Sequence, residues 1–270
     1  MQEQKATLPN GQSVYHLNQY ETDFMYDEIF NKKIYVPDGI LLNEASLVID
    51  IGANIGLFSL FIKQEFPKST IYAFEPSLQL FDLLKLNLKQ FASGVKIFQA
   101  GVSSREGEAT FSYYPKYSIL SGFFSDINED SKILNLAIKN KLRGAGVKEE
   151  YLNKLTDNLR GDKLKEKIEY QCGLTTLSAI IERNDIKRID LLKIDAEKSE
   201  LDILQGIKKV HWERINQIIM EIHDVQKSLI QEITAILKAN GYQWVIKEEK
   251  QFIDSGVSNI FAKREKQNAV

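Results

Sequence analysis

Val48-Ile49-Asp50-Ile51-Gly52-Ala53-Asn54-Ile55-Gly56 is a short apolar run broken by one acid, followed by a turn bracketed by two glycines and then by an apolar helix-like segment. A brief β-branched run of this kind reads as a buried strand. Glycine lets the backbone reverse sharply and come close to a ligand, and the first amides of a following helix are free to donate to an anion. Strand, turn and helix start in one piece are the opening of a βαβ unit.

Outward from this stretch the same alternation continues. Candidate strands are Leu47–Ile51, Thr70–Phe74, Val95–Gln99, Ala109–Tyr114, Arg188–Ile194, Gln217–Ile222, Gln243–Lys247 and Asn259–Ala262. Candidate helices are Gly56–Glu65, Leu78–Gln90, Thr176–Arg183, Ser199–Gly206 and Lys227–Asn240, the last with Ile230, Ile233, Ile236 and Leu237 as an apolar stripe before Asn240-Gly241. Helices are therefore expected on both faces of a mainly parallel sheet. Two segments break the rhythm: 1–46, with Tyr20, Phe24, Tyr26 and Phe30, and the charged, helix-prone stretch 118–171. The first is expected to cap the C-terminal edge of the sheet, where open α/β sheets bind ligands, and the second to be a helical insertion. The organisation expected is one domain over 1–270, with its core formed by 47–117 and 172–270.

With 270 residues, 43% hydrophobic and 27% charged, the chain has an ordinary globular composition. Its formal net charge of −2 gives no bulk attraction to phosphate backbones or anionic lipid, so neither nucleic acid nor membrane is an expected partner. The single cysteine, Cys172, excludes an internal disulfide and a thiolate metal centre, and fits a cytoplasmic setting. The polar start Met1 to Gln12 has no secretory layout, and no run reaches the roughly 20 apolar residues of a membrane span.

The turn lacks the middle glycine of a G-x-G-x-x-G nicotinamide fingerprint, and no G-x-x-x-x-G-K-[ST] loop is present, so polyphosphate cofactors lose ground. Asp50 is placed to accept from an amino group, and Glu75, ending the next strand, to hold vicinal ribose hydroxyls. A ligand with an amino-acid end, a ribose and a positive centre matches that lining, and S-adenosylmethionine has all three.

Asp50-Ile51-Gly52-Ala53-Asn54-Ile55-Gly56 followed by Phe74-Glu75-Pro76 resembles the first two motifs of class I S-adenosylmethionine-dependent methyltransferases. Leu192-Lys193-Ile194-Asp195-Ala196-Glu197, with Glu200 and Leu204, is similar to the FkbM family in particular, which usually has a glycine where this chain has Lys198. A closer similarity is to oxygen-methylating domains embedded in modular polyketide and non-ribosomal peptide synthases. It rests on Glu21-Thr22-Asp23-Phe24-Met25-Tyr26 with Glu28-Ile29-Phe30, on Tyr114-Pro115-Lys116-Tyr117-Ser118 with Ser121-Gly122-Phe123, and on Cys172-Gly173-Leu174-Thr175-Thr176-Leu177. The resemblance implies a Rossmann-like, seven-stranded, mainly parallel sheet. It also implies a cofactor site built from Asp50, Gly52, Ala53, Asn54, Gly56, Glu75, Pro76, Ala100, Gly101 and Asp195, with S-adenosylhomocysteine as the product left there.

Methyl transfer from a sulfonium requires alignment of the nucleophile and removal of its proton. Histidine, ordinarily titrating near about 6.5, is the usual side chain for that work. Of His16, His211 and His223, only His223 directly follows a strand expected to end over the cofactor, and it is the candidate base. Glu197 is the candidate for orienting its imidazole, and Asp195 for meeting the cofactor amine or the acceptor. Asp195, Glu197 and His223 are also chemically able to bind a divalent metal, but a metal-free reaction is favoured. Tyr20, Phe24, Tyr26 and Tyr117 are candidates for the acceptor wall.

The expected reaction is O-methylation of a β-hydroxy or enol intermediate carried on the phosphopantetheine arm of an acyl or peptidyl carrier protein. Rival readings are a free-standing methyltransferase for a sugar or small metabolite, a non-catalytic cofactor-binding module, and, disfavoured by the missing glycine, a nicotinamide oxidoreductase.

Overall fold

The computed structural model describes residues 4–147, 152, 166–224 and 228–265. Parts of the expected insertion 118–171, and Lys227 at the start of the last expected helix, lie outside the described residues. In chain order the elements are β1 (Gln4–Thr7), β2 (Ser13–His16), α1 (Gln19–Tyr26) with a π-helical turn at Asp27–Asn31, β3 (Leu47–Ile51), α2 (Leu57–Glu65), β4 (Thr70–Phe74), α3 (Leu78–Leu88), β5 (Val95–Phe98), β6 (Gly101–Val102) and β7 (Gly107–Tyr113). Then come α4 (Ile127–Gly144), β8 (Ile168–Thr175), α5 (Leu177–Arg183), β9 (Leu191–Ile194), α6 (Glu200–Gln205), α7 (Lys209–Trp212), β10 (Gln217–His223), α8 (Leu229–Ala239), β11 (Tyr242–Lys247) and β12 (Val257–Arg264).

Seven strands form the central sheet in the order β11-β12-β10-β9-β3-β4-β5. The run from β10 to β5 is parallel, and β12 lies antiparallel between β10 and β11. This is the expected doubly wound architecture. Successive strand residues feed opposite faces: Val48 and Leu191 join the core packed on α2 and α3, while Ile49, Ile51, Leu192 and Ile194 join the core packed on α5, α6 and α8. The same period of two puts Ile219, Glu221 and His223 of β10 on one face, the face of Lys193, because Ile219 pairs with Lys193 across the strands.

Side chains at the helix starts satisfy amides that would otherwise be orphaned: Asn18 caps α1, Ser77 caps α3, Asp126 caps α4 and Thr176 caps α5. The β3–α2 turn is held differently. Gly52 and Gly56 take φ of +75° and +92°, and a Cβ on Gly52 would lie 1.7 Å from the carbonyl oxygen of Asp195. Only glycine lets the β9 loop approach so closely.

The structure departs from the expected organisation in three places. The strand predicted at Ala109–Tyr114 is β7, but it belongs to a separate three-stranded sheet, order β6-β8-β7. β8 begins at Ile168, inside the stretch expected to be a helical insertion, and the alternation of Ile168, Tyr170, Cys172 and Leu174 is its overlooked signal. The N-terminal segment contains an antiparallel hairpin, β1 with β2, as well as the aromatic helix α1. Among the described residues no helix is long and apolar enough to cross a membrane.

Gly52→Ala is expected to displace the loop after β9, because the new methyl would overlap the backbone carbonyl of Asp195, which no side-chain rotation can clear. A thermal melt should show a loss of at least several degrees, with weakened S-adenosylhomocysteine binding by calorimetry. An unchanged melt would show that the two loops do not constrain each other.

Candidate active site

A cavity opens at the C-terminal ends of β3, β4, β9 and β10, floored by Gly52, Ala53 and Asn54 and roofed by α1, the π-helical turn and α4. Beneath its floor, Asp50 and Lys193 are register partners on adjacent parallel strands, so their side chains emerge on the same face. Lys193 Nζ lies 3.2 Å from Asp50 Oδ1 and 3.5 Å from Asp195 Oδ2, and donates to Gly52 O at 2.8 Å. Ser59 Oγ of α2 donates to Asp50 Oδ2 at 2.8 Å. Burial works against the ammonium, but the Asp50 and Asp195 carboxylates more than offset it and hold its pKa above the usual lysine range.

The structure places Asp50 differently from expectation: its side chain is completely buried between Ser59 and Lys193 and is not among the residues lining the cavity. Gly56 is also displaced from the role expected of it. It lies away from the cavity, against α3, where a Cβ would stand 2.8 Å from Leu84 Cδ1. The turn amides have partners already: Gly52 N and Ala53 N donate to Phe74 O, and Asn54 N donates to Glu75 Oε2 at 2.9 Å.

Gly52, Ala53, Asn54, Glu75, Pro76, Ala100, Gly101 and Asp195 do line the cavity. Glu75 Oε1 accepts from Ser77 N at 2.8 Å, so each carboxylate oxygen has one backbone donor and a further lone pair for a hydroxyl. Burial pushes the Glu75 carboxyl up to about 7, against the lowering effect of those amides. Gly101 keeps the wall thin beside the Phe123 ring, which a Cβ there would meet at 2.5 Å. A carboxylate able to take ribose hydroxyls beside a close-approach glycine at Gly52 suits an adenosyl sulfonium.

His223 ends β10 in the same cavity. Its Nδ1 is 3.1 Å from Glu200 Oε1, while Nε2 faces Glu197 Oε2 at 3.3 Å and Glu221 Oε1 at 3.5 Å. Glu200, the first residue of α6, is fully buried and also accepts from Lys198 N at 3.0 Å. Glu200 thus pairs with one imidazole nitrogen from beneath, and Glu197, expected to orient the ring, stands on the opposite, cavity-facing nitrogen. Burial alone would lower the imidazole pKa, but Glu197, Glu200 and Glu221 hold it well above the usual histidine value. Burial pushes Glu197 up to about 8, with His223 opposing, and raises Glu221 as well, reinforced by Asp195.

Tyr20 and Phe24 line the cavity as expected. Tyr26 and Tyr117 do not: Tyr26 stacks on Phe30 at 4.6 Å within the core, and Tyr117 is buried with Tyr114 and Leu120. His16 and His211 are structural, their Nδ1 atoms paired with Thr22 Oγ1 and Ser178 Oγ. Sequence reasoning missed Tyr35, whose hydroxyl donates to Asp195 Oδ2 at 2.9 Å, and nothing in the local sequence marks it. Among the described residues no set of three His, Cys, Asp or Glu side chains is arranged to hold a metal ion.

The glutamate loop is strained. Glu197 and Lys198 take φ of +41° and +71°, where side chains are disfavoured. Lys198 Nζ pairs with Glu129 Oε2 at 2.5 Å and Asp130 Oδ1 at 2.8 Å on α4, tying the loop to the cavity roof.

Residues 50–244 match the family described as Methyltransferase FkbM domain. The chain belongs to the FkbM methyltransferase family. It is 34% identical over 257 residues to the 31-O-demethyl-FK506 methyltransferase FkbM of Streptomyces tacrolimicus, covering 95% of each chain. It is also 34% identical over 269 residues to the AMB antimetabolite synthetase AmbE of Pseudomonas aeruginosa, covering 96% of this chain but 12% of that much longer protein. A crystal structure of Methyltransferase FkbM from Methylobacillus flagellatus KT shares the fold, with a TM-score of 0.54 at 14% identity over 85% of this chain and 47% of that one. This FkbM-family chain is an S-adenosylmethionine-dependent methyltransferase of Rossmann-like fold.

Asp50→Ala is expected to cost about 3–5 kcal/mol of unfolding free energy in urea, because it strips a counterion from buried Lys193. Adding Lys193→Met should recover most of that loss, and no recovery would show that the pair is not the source. The stability of the ligand-free protein should also fall as pH rises. Glu75 and Glu197 keep protons to about pH 7 and 8, whereas the unfolded chain releases them near the ordinary 4.5. Their contribution is complete below that value and is lost as pH passes through the folded pKa values. Melts between about pH 5 and 9 should show this decline, shallower in Glu197→Gln.

Proposed function

We propose that this FkbM-family enzyme methylates a hydroxyl oxygen, with His223 and Glu197 as the proton-accepting unit. One observation carries the reading: an imidazole anchored by Glu200 on one nitrogen presents the other to the cavity beside a second carboxylate. S-adenosylmethionine supplies an electrophilic methyl group, so the chain's own residues must position the oxygen and remove its proton. Glu75 would hold the ribose hydroxyls and Asp195, fixed by Tyr35 and Lys193, the amino group. His223 Nε2 would take the proton of the acceptor hydroxyl, and Glu200 would stabilise the resulting imidazolium. That nitrogen must first be free of its proton, which ties activity to the ionisation of the surrounding carboxylates.

The acceptor proposed is a β-hydroxy or enol intermediate tethered to a carrier protein. The extensive match to a segment of AmbE, a protein named as a synthetase, supports it. A long substrate arm would enter between the cap and α4. The second reading, a free-standing enzyme acting on a sugar or small metabolite, is supported by the end-to-end match with the FkbM of Streptomyces tacrolimicus. Methyl-transfer assays on carrier-protein conjugates and on the same acyl groups as free acids distinguish the two.

His223→Ala should lower kcat by about 10²–10⁴ while S-adenosylhomocysteine affinity stays the same. Unchanged turnover would remove His223 from the mechanism. In the wild type, kcat/KM should climb with pH and level off only above the ordinary histidine range, because Glu197, Glu200 and Glu221 hold the imidazole protonated. A plateau already reached at about pH 6.5, the ordinary histidine value, would show that the carboxylates do not control the base.

A further inference from the structure

The face that α4 turns to the cavity follows helical spacing. Asp130, Ile133, Leu134, Ala137, Ile138 and Lys141 line it, at intervals of three and four that keep them on one side of the helix. From Asp130 to Lys141 this stripe runs about 16 Å along the helix axis. Its inner end adjoins the reacting groups, because Asp130 Oδ1 is 2.8 Å from Lys198 Nζ, on the loop that carries Glu197. Its outer end is exposed, with Lys141 Nζ 5.7 Å from the Tyr20 ring centre and 6.0 Å from that of Phe24. Between these ends the stripe is wholly aliphatic, and Phe24, Met25 and Ile29 of the cap and Phe252 of the β11–β12 connection line the same cavity.

The polar side chains of the roof are committed to protein partners. Glu28 Oε1 accepts from Lys32 Nζ at 2.5 Å and from Gln251 Nε2 at 2.9 Å. Ser118 Oγ donates to Glu21 Oε2, Ser121 Oγ accepts from Tyr114 N at 3.0 Å, and Asp130 is paired with Lys198. The remaining oxygens of the two acids, Glu28 Oε2 and Asp130 Oδ2, are buried and offer no surface to a ligand. Inward of Tyr20 and Lys141, the described roof therefore has no polar side chain left uncommitted to meet a hydroxyl. Several sugar hydroxyls brought there would lose their water without replacement, which is costly. Methylene groups have no such need and gain by leaving water. Only the strand ends, with His223 and the carboxylates beside it, can serve a hydroxyl.

We infer that the acceptor is a hydroxyl borne on an extended aliphatic chain, with the hydroxyl at His223 and the chain laid along the α4 stripe. Ala137 and Ile138 are then specificity-determining residues, Ala137 because its small side chain leaves the depth that the chain fills. A polyhydroxylated acceptor such as a free sugar is the wrong class for this roof. The inference rests on the O-methyltransferase reading for the fate of the hydroxyl, but the chain site is measurable without turnover.

The probes are the N-acetylcysteamine thioesters of 3-hydroxybutyric, 3-hydroxyhexanoic and 3-hydroxyoctanoic acid, with methyl glucoside as the sugar. Each is titrated calorimetrically into enzyme saturated with S-adenosylhomocysteine. Affinity should rise about two- to fourfold for each methylene added, and methyl glucoside should not bind. Ala137→Leu fills the stripe and should weaken binding of the octanoyl probe about 10-fold, with the butyryl probe, S-adenosylhomocysteine affinity and the thermal melt unaltered. Ile138→Ala, which removes apolar surface instead of adding it, should flatten the dependence on chain length and stands in if Ala137→Leu does not fold. Affinity indifferent to chain length, binding of none of the thioesters, tighter binding of methyl glucoside than of the octanoyl probe, or a dependence on chain length that survives in the folded variants would overturn the proposal. Methyl transfer separates it from the reading beneath it. Methylation of all three hydroxyls with no preference for chain length keeps the O-methyltransferase and removes the chain site, whereas a chain-length preference lost in the variants, with no transfer to any hydroxyl, does the reverse.

Discussion

The Asp50–Lys193 pair is the constraint on which the site depends. Two unlike charges stand opposite each other in the middle of a parallel sheet, both buried, so each requires the other and both require further partners. Those partners are the site itself. Lys193 donates to the carbonyl of Gly52, and its charge also reaches Asp195, while Asp50 is anchored to α2 through Ser59. The turn that faces the cofactor is thus clamped from below by an ammonium and from the side by Phe74 O and Glu75. A hydrophobic pair in these positions would fill the same sheet but leave the turn unattached.

Above this rigid floor the walls come from segments outside the βαβ pattern. The cap contributes Tyr20, Phe24, Glu28 and Tyr35, and α4 contributes Ile133, Leu134, Ala137 and Ile138. These parts are stitched together by polar contacts: Ser118 Oγ donates to Glu21 Oε2 at 2.6 Å between insertion and cap, and Asn140 Nδ2 donates to Gln251 O at 3.1 Å between α4 and the β11–β12 connection. The cavity is therefore built from two kinds of structure, strand ends for its floor and appended helices for its walls.

The sheet was legible because each of its strands is a continuous or alternating apolar run bounded by turn residues, and Gly52 marks the point where the chain must turn. Glu75 and His223 were legible for a related reason: a polar residue at the end of a buried strand has nowhere to go but the ligand edge. What the sequence concealed depends on contacts between distant segments. Glu200 orients His223 only because α6 packs beneath β10, and Tyr35 meets Asp195 across 160 positions of chain. Asp50 read as a ligand because the register opposite Lys193 is a tertiary fact. Tyr26 and Tyr117 look the same in sequence as Tyr20, and only packing sends them into the core. β8 escaped because its alternating residues follow a charged, helix-prone stretch.

Lys198 replaces the conformational ease of glycine with a strut to Glu129 and Asp130. Its ammonium keeps 14% side-chain exposure, so the strut is in partial contact with solvent ions, whereas the Asp50–Lys193 pair is sealed from them. Ionic strength therefore acts on the two halves of the cavity unequally. Added salt loosens the tie between the Glu197 loop and α4 and leaves the buried floor as it was.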